Sequence, residues 1–455
     1  MKTVLPTGYL RSEHSRARLA RLDTGAILKR FFFCEEALIR GQAGWIAAIG
    51  PYETKMLVAR FVWEDALVAG ELRQRVFELR YPSRLMEVGD DLPLVSICEG
   101  ARHAPHAAAY LHALAHLLIP ALGRAYRAYL EVADDLGDAP TRRFLSLAAS
   151  EKERQAAELL PLVEALLAAD PALRDTAGRW TAALRERLDA AGGLSLDSPH
   201  ATVHAGAGPL PGSVPFALAE VAAHDTRFHL GRFYWPDNVD PAYPYGEGIA
   251  LQLRSAVSHL NEVWAVDTAG AILEAFAEPL GWEFVSDAAR WLYDESRHAM
   301  MGLTRLRDWG FSPRELPLGS YIYDSAHGED PIYRLGMLHF FETKNIGKKT
   351  KRAEAFGSYG DTESQHDMEF DWADEGMHAG YGKRWLVELV RARGLPPQAL
   401  DAIHDRCGEL VAATVTGATG TEIADIRAVT ARLLDHARDL ADGHRSHAEQ
   451  QEDRR

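Results

Sequence analysis

The chain has 455 residues, a quarter of them charged, with a formal net charge of −15. That length exceeds one ordinary core and predicts two domains, and the acidic balance argues against nucleic acid or an anionic membrane as the main partner. Three scattered cysteines, Cys34, Cys98 and Cys407, fit a reduced compartment and supply neither a disulfide framework nor a thiolate metal site.

Residues 1–23 read as a polar, basic surface segment. Apolar residues then recur at helical spacing over 24–49 and 53–80, with Gly50-Pro51 as the break. The stretch 81–105 reads as irregular, and long helices are expected at about 106–135 and 140–168. The first half is therefore expected to be a four-helix bundle. It carries polar candidates in Glu35 or Glu36, Glu64, His112 or His116, and Glu151. No E-x-x-H pair accompanies them, since Leu67 follows Glu64 at three and Arg154 follows Glu151, so this bundle is read as metal-free.

A helix near 171–191 precedes a Gly-, Pro- and Ser-rich stretch that reads as the domain boundary. A short helix is expected over 214–224. The aromatic segment that follows, Phe228 to Tyr245, is either an apolar plug between domains or a cap on the second bundle. The expected division is an N-terminal bundle over 1–192, a linker over 193–245, a metal domain over 246–395, C-terminal helices over 396–440 and a flexible tail over 441–455. Within the metal domain, helices are expected at 247–278, 281–309, 331–356 and 361–393, with a long crossover between the second and third. The start lacks the apolar stretch of a signal peptide, and the most apolar helix, 107–122, is short and interrupted by His112 and His116. A soluble, cytoplasmic, all-α protein is the expectation.

The metal domain contains an internal repeat. His259, Glu262, Glu295 and His298 recur as His339, Glu342, Glu375 and His378, each 80 positions later. The same shift relates Glu274-Ala275-Phe276 to Glu354-Ala355-Phe356, Asp287 to Asp367, and Asp294 to Asp374. In each E-x-x-H pair a carboxylate and an imidazole share one helix face. With Glu262 and Glu342 from the preceding helices, four carboxylates and two imidazoles point inward, the ligand set of a dinuclear iron or manganese site in a ferritin-like bundle. The predicted metal ligands are Glu262, Glu295, His298, Glu342, Glu375 and His378. His259 and His339 lie on the same faces, as additional ligands or as partners of the ligand carboxylates. The copies differ where Trp291 corresponds to Asp371, which makes Asp371 a candidate ligand or proton relay, or else the ion-pair partner of Lys344 or another nearby base. The cluster Lys344, Lys348, Lys349, Lys351 and Arg352 is either an attractor for an anionic substrate or a solvated helix face.

Asp294-Glu295-Ser296-Arg297-His298 resembles the D-E-x-R-H signature of bacterial di-iron carboxylate proteins, which implies that Asp294 and Asp374 orient the ligand histidines. The run from Asp294 through Gly310, the Gly360-Asp361 turn and Asp374-Glu375 to Arg384-Trp385 is similar to a bacterial ferritin-like family of unknown function. Where that family carries an E-A-R-G-L-D-like run, this chain reads Glu342-Thr343-Lys344-Asn345-Ile346-Gly347. The resemblance implies the bundle and the metals, but no reaction. The functional expectation is a non-haem di-iron oxidase or oxygenase with two iron ions, or manganese, that uses O2 and an unidentified electron donor to oxidise a small organic substrate. Asp371, Asp294 and Asp374 would assist, and a monomer or small homo-oligomer is expected. The alternative is a ferritin-like iron-binding or peroxide-detoxifying protein without an organic substrate.

Overall fold

A computed structural model describes residues 16–200 and 209–452, with side chains of the last helix as far as Asp442. The chain is mostly helical, and among the described residues one small sheet pairs two three-residue strands. In the first half the helices are α1 (Arg21–Trp45), α2 (Tyr52–Glu78), α3 (Leu92–Gly100), α4 (Ala107–Ala113), α5 (Ile119–Val132), α6 (Ala139–Ala169) and α7 (Pro171–Ala190). The second half holds α8 (Ile249–Leu260), α9 (Val263–Leu280), α10 (Trp282–Asp308), the short α11 (Tyr321–Asp324), α12 (Ile332–Tyr359), α13 (Thr362–Ala392), α14 (Ala399–Thr416) and α15 (Gly420–Glu452).

Local chemistry sets several boundaries. Asp170 caps α7 by accepting from the amides of Ala172 and Leu173, with Pro171 in the first turn. Gly360 ends α12 in the left-handed conformation at φ +74°, and Asp361 then caps α13 by accepting from Ser364 N.

The structure departs from the sequence reading at five places. The irregular stretch 81–105 contains α3, and residues 214–224 form no helix. The single helix expected over 247–278 breaks at Asn261-Glu262 into α8 and α9. Asn261 holds that break: its amide donates to Val257 O at 2.8 Å and Pro317 O at 2.9 Å, and its oxygen accepts from Gly319 N at 2.8 Å. The crossover thus tied down contributes β2 (Pro317–Gly319), which pairs in parallel with β1 (His229–Gly231) from the aromatic segment. Finally, α15 continues through the residues expected as a flexible tail as far as Glu452.

The boundary at 193–245 does not separate two cores, because one contiguous apolar core runs from α1 through α14 and into α15. Helices α1 and α2 lie directly against α9 and α10. Tyr52 OH reaches Leu260 O at 2.8 Å and Ala299 O at 3.1 Å, Lys55 pairs with Asp267 at 2.6 Å, and Trp63 stacks on Tyr293 with centroids 4.5 Å apart. The first half therefore buttresses the two helices that carry Glu262, Glu295 and His298.

Candidate metal centre

The four helical units α8–α9, α10, α12 and α13 bring their polar stripes together in the interior. Glu262 sits at the α8–α9 break, Glu295 and His298 on α10, Glu342 on α12, and Glu375 and His378 on α13. Four side-chain groups here have ligand atoms within 4.8 Å of one another: Glu262, Glu295 and His298; Glu295, Glu342 and His378; His298, Asp371 and Glu375; and His259, Glu262 and Asp371. His298 Nδ1 lies 3.3 Å from Glu262 and 3.8 Å from Glu295. His378 Nδ1 lies 3.2 Å from both Glu295 and Glu342. Glu295 therefore stands between the two histidines.

The outer imidazole nitrogens are held crosswise. His298 Nε2 meets Asp374 at 3.2 Å, and His378 Nε2 meets Asp294 at 3.4 Å, so each D-E-x-x-H aspartate serves the histidine of the other copy. Such a partner fixes the ring and its tautomer, leaving Nδ1 to face the cluster. Arg297 bridges Asp294 at 2.6 Å and Asp374 at 2.9 Å, locking the pair.

The same exchange recurs further out. Asp287 accepts from Trp385 at 2.9 Å, and Asp367 pairs with Arg305 at 2.9 Å, where 287 and 367, and 305 and 385, are equivalent positions. Contacts that swap partners between copies are the mark of an approximate two-fold relation. Two glycines obey it as well. A Cβ on Gly302 would lie 2.2 Å from Leu260 N, and one on Gly382 would lie 2.5 Å from His339 Cβ, so each helix pair closes through a residue without a side chain.

The symmetry fails at Asp371 and Trp291. Trp291 donates to Glu295 at 3.1 Å, with Glu342 at 3.4 Å. Asp371 is fully buried, meeting Lys349 at 2.5 Å, His259 at 3.1 Å and His298 at 3.4 Å. Lys349 also holds Glu375 at 2.6 Å. Lys349 stands seven residues after Glu342, on the same face of α12, and helical spacing alone places it on the metal-facing stripe; what the spacing does not show is its ion pairing with Asp371 and Glu375. His259 continues the chain to Arg305 at 2.5 Å. Its repeat partner His339 is not brought into the cluster: it is half-buried, with its ring nearest Thr343 at 3.4 Å.

Charge balance tests whether metals fit. Glu262, Glu295, Glu342, Glu375 and Asp371 set five carboxylates against the one ammonium of Lys349, leaving four negative charges in a nearly dry interior. Two divalent cations would neutralise them. The strain shows in the protonation equilibria. Burial, then Glu295 and Glu375, push Glu342 well above the usual carboxylate range. Burial alone would lower His298 and His378, but the surrounding carboxylates outweigh it and raise both. Glu262 Oε2, His298 Nδ1 and Glu375 Oε2 are buried without a hydrogen-bond partner, an arrangement that is costly unless a ligand completes it. The residues fit a pair of metal ions.

A cavity of about 300 Å³ reaches Glu262, Glu295, Glu342 and Glu375, and Tyr234, Asp237 and Asn238 of the aromatic segment line it. That segment therefore borders the site, where the sequence left open whether it caps the second bundle or plugs the space between domains.

The N-terminal half has a different centre. Lys152 is buried between Glu35 at 2.9 Å and Asp65 at 2.6 Å, with Gln42 and Gln155 donating to Asp65 and Tyr126 to Glu35. Of the sequence candidates, Glu35 meets Lys152 directly, and Glu64 joins at the edge by accepting from Gln155 at 3.1 Å. Glu64 pairs with Arg154, and His112, His116 and Glu164 form a separate, partly exposed group.

Residues 247–420 match the model of a family described as a protein of unknown function, DUF455. The match takes in the whole repeat and every candidate ligand, and leaves out the first half. No curated protein and no solved structure matches the chain.

Proposed function

We propose that this cluster binds two metal ions, iron or manganese, in a ferritin-like arrangement, and that the chain is an O2-dependent oxidoreductase acting on a small organic molecule. The observation that carries the reading is the crossed pair of D-E-x-x-H motifs, which converge with Glu262 and Glu342 on one buried, under-neutralised cluster. Glu262, Glu295, His298, Glu342, Glu375 and His378 would hold the two ions. Hard oxygen donors with two nitrogens suit iron or manganese better than zinc. When bound, such a pair supplies two-electron redox chemistry toward O2.

The protein's own contribution follows from its geometry. Asp294 and Asp374 keep both imidazoles aimed inward. Trp291 donates to Glu295 and closes the first copy's side with apolar bulk. On the other side Lys349, Asp371, His259 and Arg305 form a continuous hydrogen-bonded chain in which a proton can be held beside Glu375. The cavity gives an organic molecule access to the carboxylate face, which a protein that only sequesters iron does not require.

The test is anaerobic loading with ferrous iron followed by rapid mixing with O2. The proposal expects oxidation that saturates at two irons per chain and is lost in Glu295→Ala. Continued uptake of many irons per chain would favour the iron-binding alternative, and no reaction with O2 would sink the oxidoreductase reading.

A further inference from the structure

The cavity has two chemically opposite ends. Its floor is the carboxylate face of the cluster, while Lys344, Lys348 and Arg352 of α12 and Arg254 of α8 also line it. The three α12 residues recur at four-residue spacing, so they form one cationic stripe along the helix. Like charges at that spacing repel, and among the described residues no carboxylate lies within ion-pair distance of any of the three. Burial, then Arg352 and Lys344, hold the Lys348 ammonium below its ordinary pKa, the charge of Asp237 offsetting them only in part.

Arg254 is the second, independent observation. It is buried and fixed by two bonds to Asp237, at 2.9 and 3.0 Å, yet its third nitrogen, Nη1, is buried with no hydrogen-bond partner. A buried guanidinium nitrogen without a partner, on a residue that lines the cavity, is a donor that an oxyanion would satisfy once the wall shifts to admit it. All this occurs in a chain of net charge −15, so the local field opposes the global one. Trp264 and Phe341, which also line the cavity, pack edge to face at 5.6 Å and offer an apolar wall.

We infer that the cavity takes a small organic anion, a carboxylate or phosphate ester on an apolar body. The oxyanion sits at Arg254 Nη1, Lys348 and Arg352, the body lies against Trp264 and Phe341, and the far end is turned to the carboxylate face. This names the substrate class of the proposed metal site and rests on that reading for the place of reaction, but the binding itself does not require metal.

The experiment titrates benzoate and phenyl phosphate into the full-length protein at low salt, with and without manganous ion, followed by calorimetry. Benzyl alcohol is the neutral probe of similar size. At least one anion is expected to bind roughly tenfold or more tighter than benzyl alcohol, and the tighter anion identifies the headgroup. The double variant Lys348→Ala/Arg352→Ala should lose about that factor, the charge-keeping Lys348→Arg/Arg352→Lys should retain most of it, and Lys383→Ala, outside the cavity, should change nothing. Circular dichroism on each variant confirms folding. Equal binding of the neutral probe, anion binding indifferent to the double variant, or no saturable binding of either anion overturns the inference. If manganous ion fails to bind while the anion results hold, the metal reading falls and this one stands; if the metal binds and the double variant is silent, the reverse is true.

Discussion

Replacing Lys152 by methionine removes the one cation at the centre of the N-terminal network while keeping the length and apolar bulk of the stem. Its ammonium is 1% exposed and lies 2.9 Å from Glu35 and 2.6 Å from Asp65, themselves 0% and 1% exposed. Breaking a buried pair by deleting one partner costs about 3–5 kcal/mol, because an uncompensated charge stays behind. Asp65 keeps two amide donors, from Gln42 and Gln155 at 2.8 Å each, so most of the penalty falls on Glu35. Burial, and then the Asp65 charge, outweigh Lys152 and push Glu35 up to about 7. A carboxyl raised above its unfolded value contributes most stability below that value and loses it as pH rises through the folded one. In the variant the folded value moves above 7, so the deficit should grow with pH above 7, by up to about 1.4 kcal/mol per unit. Urea unfolding from pH 7 to 9 measures this. Adding Glu35→Gln to the variant should recover a large part of the loss, since the amide oxygen still accepts from Tyr126. A single variant within about 1 kcal/mol of the parent at pH 8, or a double variant no better than the single, would refute the reasoning.

Gly302→Ala and Gly382→Ala should each lower thermal stability, on the order of 1–3 kcal/mol from forced overpacking; Gly380→Ala, with nothing within 4 Å of its added Cβ, should be neutral or slightly stabilising on the same melts. Asp294→Asn and Asp374→Asn should weaken metal binding about 10- to 100-fold in chelator competition, each acting through the histidine of the opposite motif. His224 is half-buried, with both ring nitrogens shielded and neither hydrogen-bonded, and desolvation, helped by Lys55, lowers it to about 4. Its contribution is therefore full above 6.5 and should fall between pH 6.5 and 4, by up to about 3 kcal/mol, a slope that His224→Leu should flatten in pH-dependent unfolding.

The cluster was legible because four chemically specific residues repeat at one offset, and helical spacing alone places each E-x-x-H pair on one face. Which aspartate meets which histidine was not, since that depends on how α10 and α13 face each other. The break at Glu262 was hidden because apolar periodicity runs unbroken through Asn261, whose role depends on Pro317 and Gly319, more than fifty residues away. Lys349 and Lys348 are neighbours in one basic run, yet a turn of about 100° per residue buries one against Asp371 and Glu375 and leaves the other exposed. The same one-residue rotation explains why the N-terminal centre uses Asp65 and Lys152 where the sequence drew attention to Glu64 and Glu151. The shared core was missed because composition at 193–215 marks a loop, not the absence of packing between α1–α2 and α9–α10.

Metal stoichiometry tests the central claim most directly. Protein freed of metal by chelation, reloaded with ferrous or manganous ion and desalted, should carry two ions per chain by elemental analysis. Glu295→Ala and Glu375→Ala should each carry one or none, while Lys152→Met keeps both. Failure to retain either metal, or a content unchanged in both glutamate variants, would contradict the account.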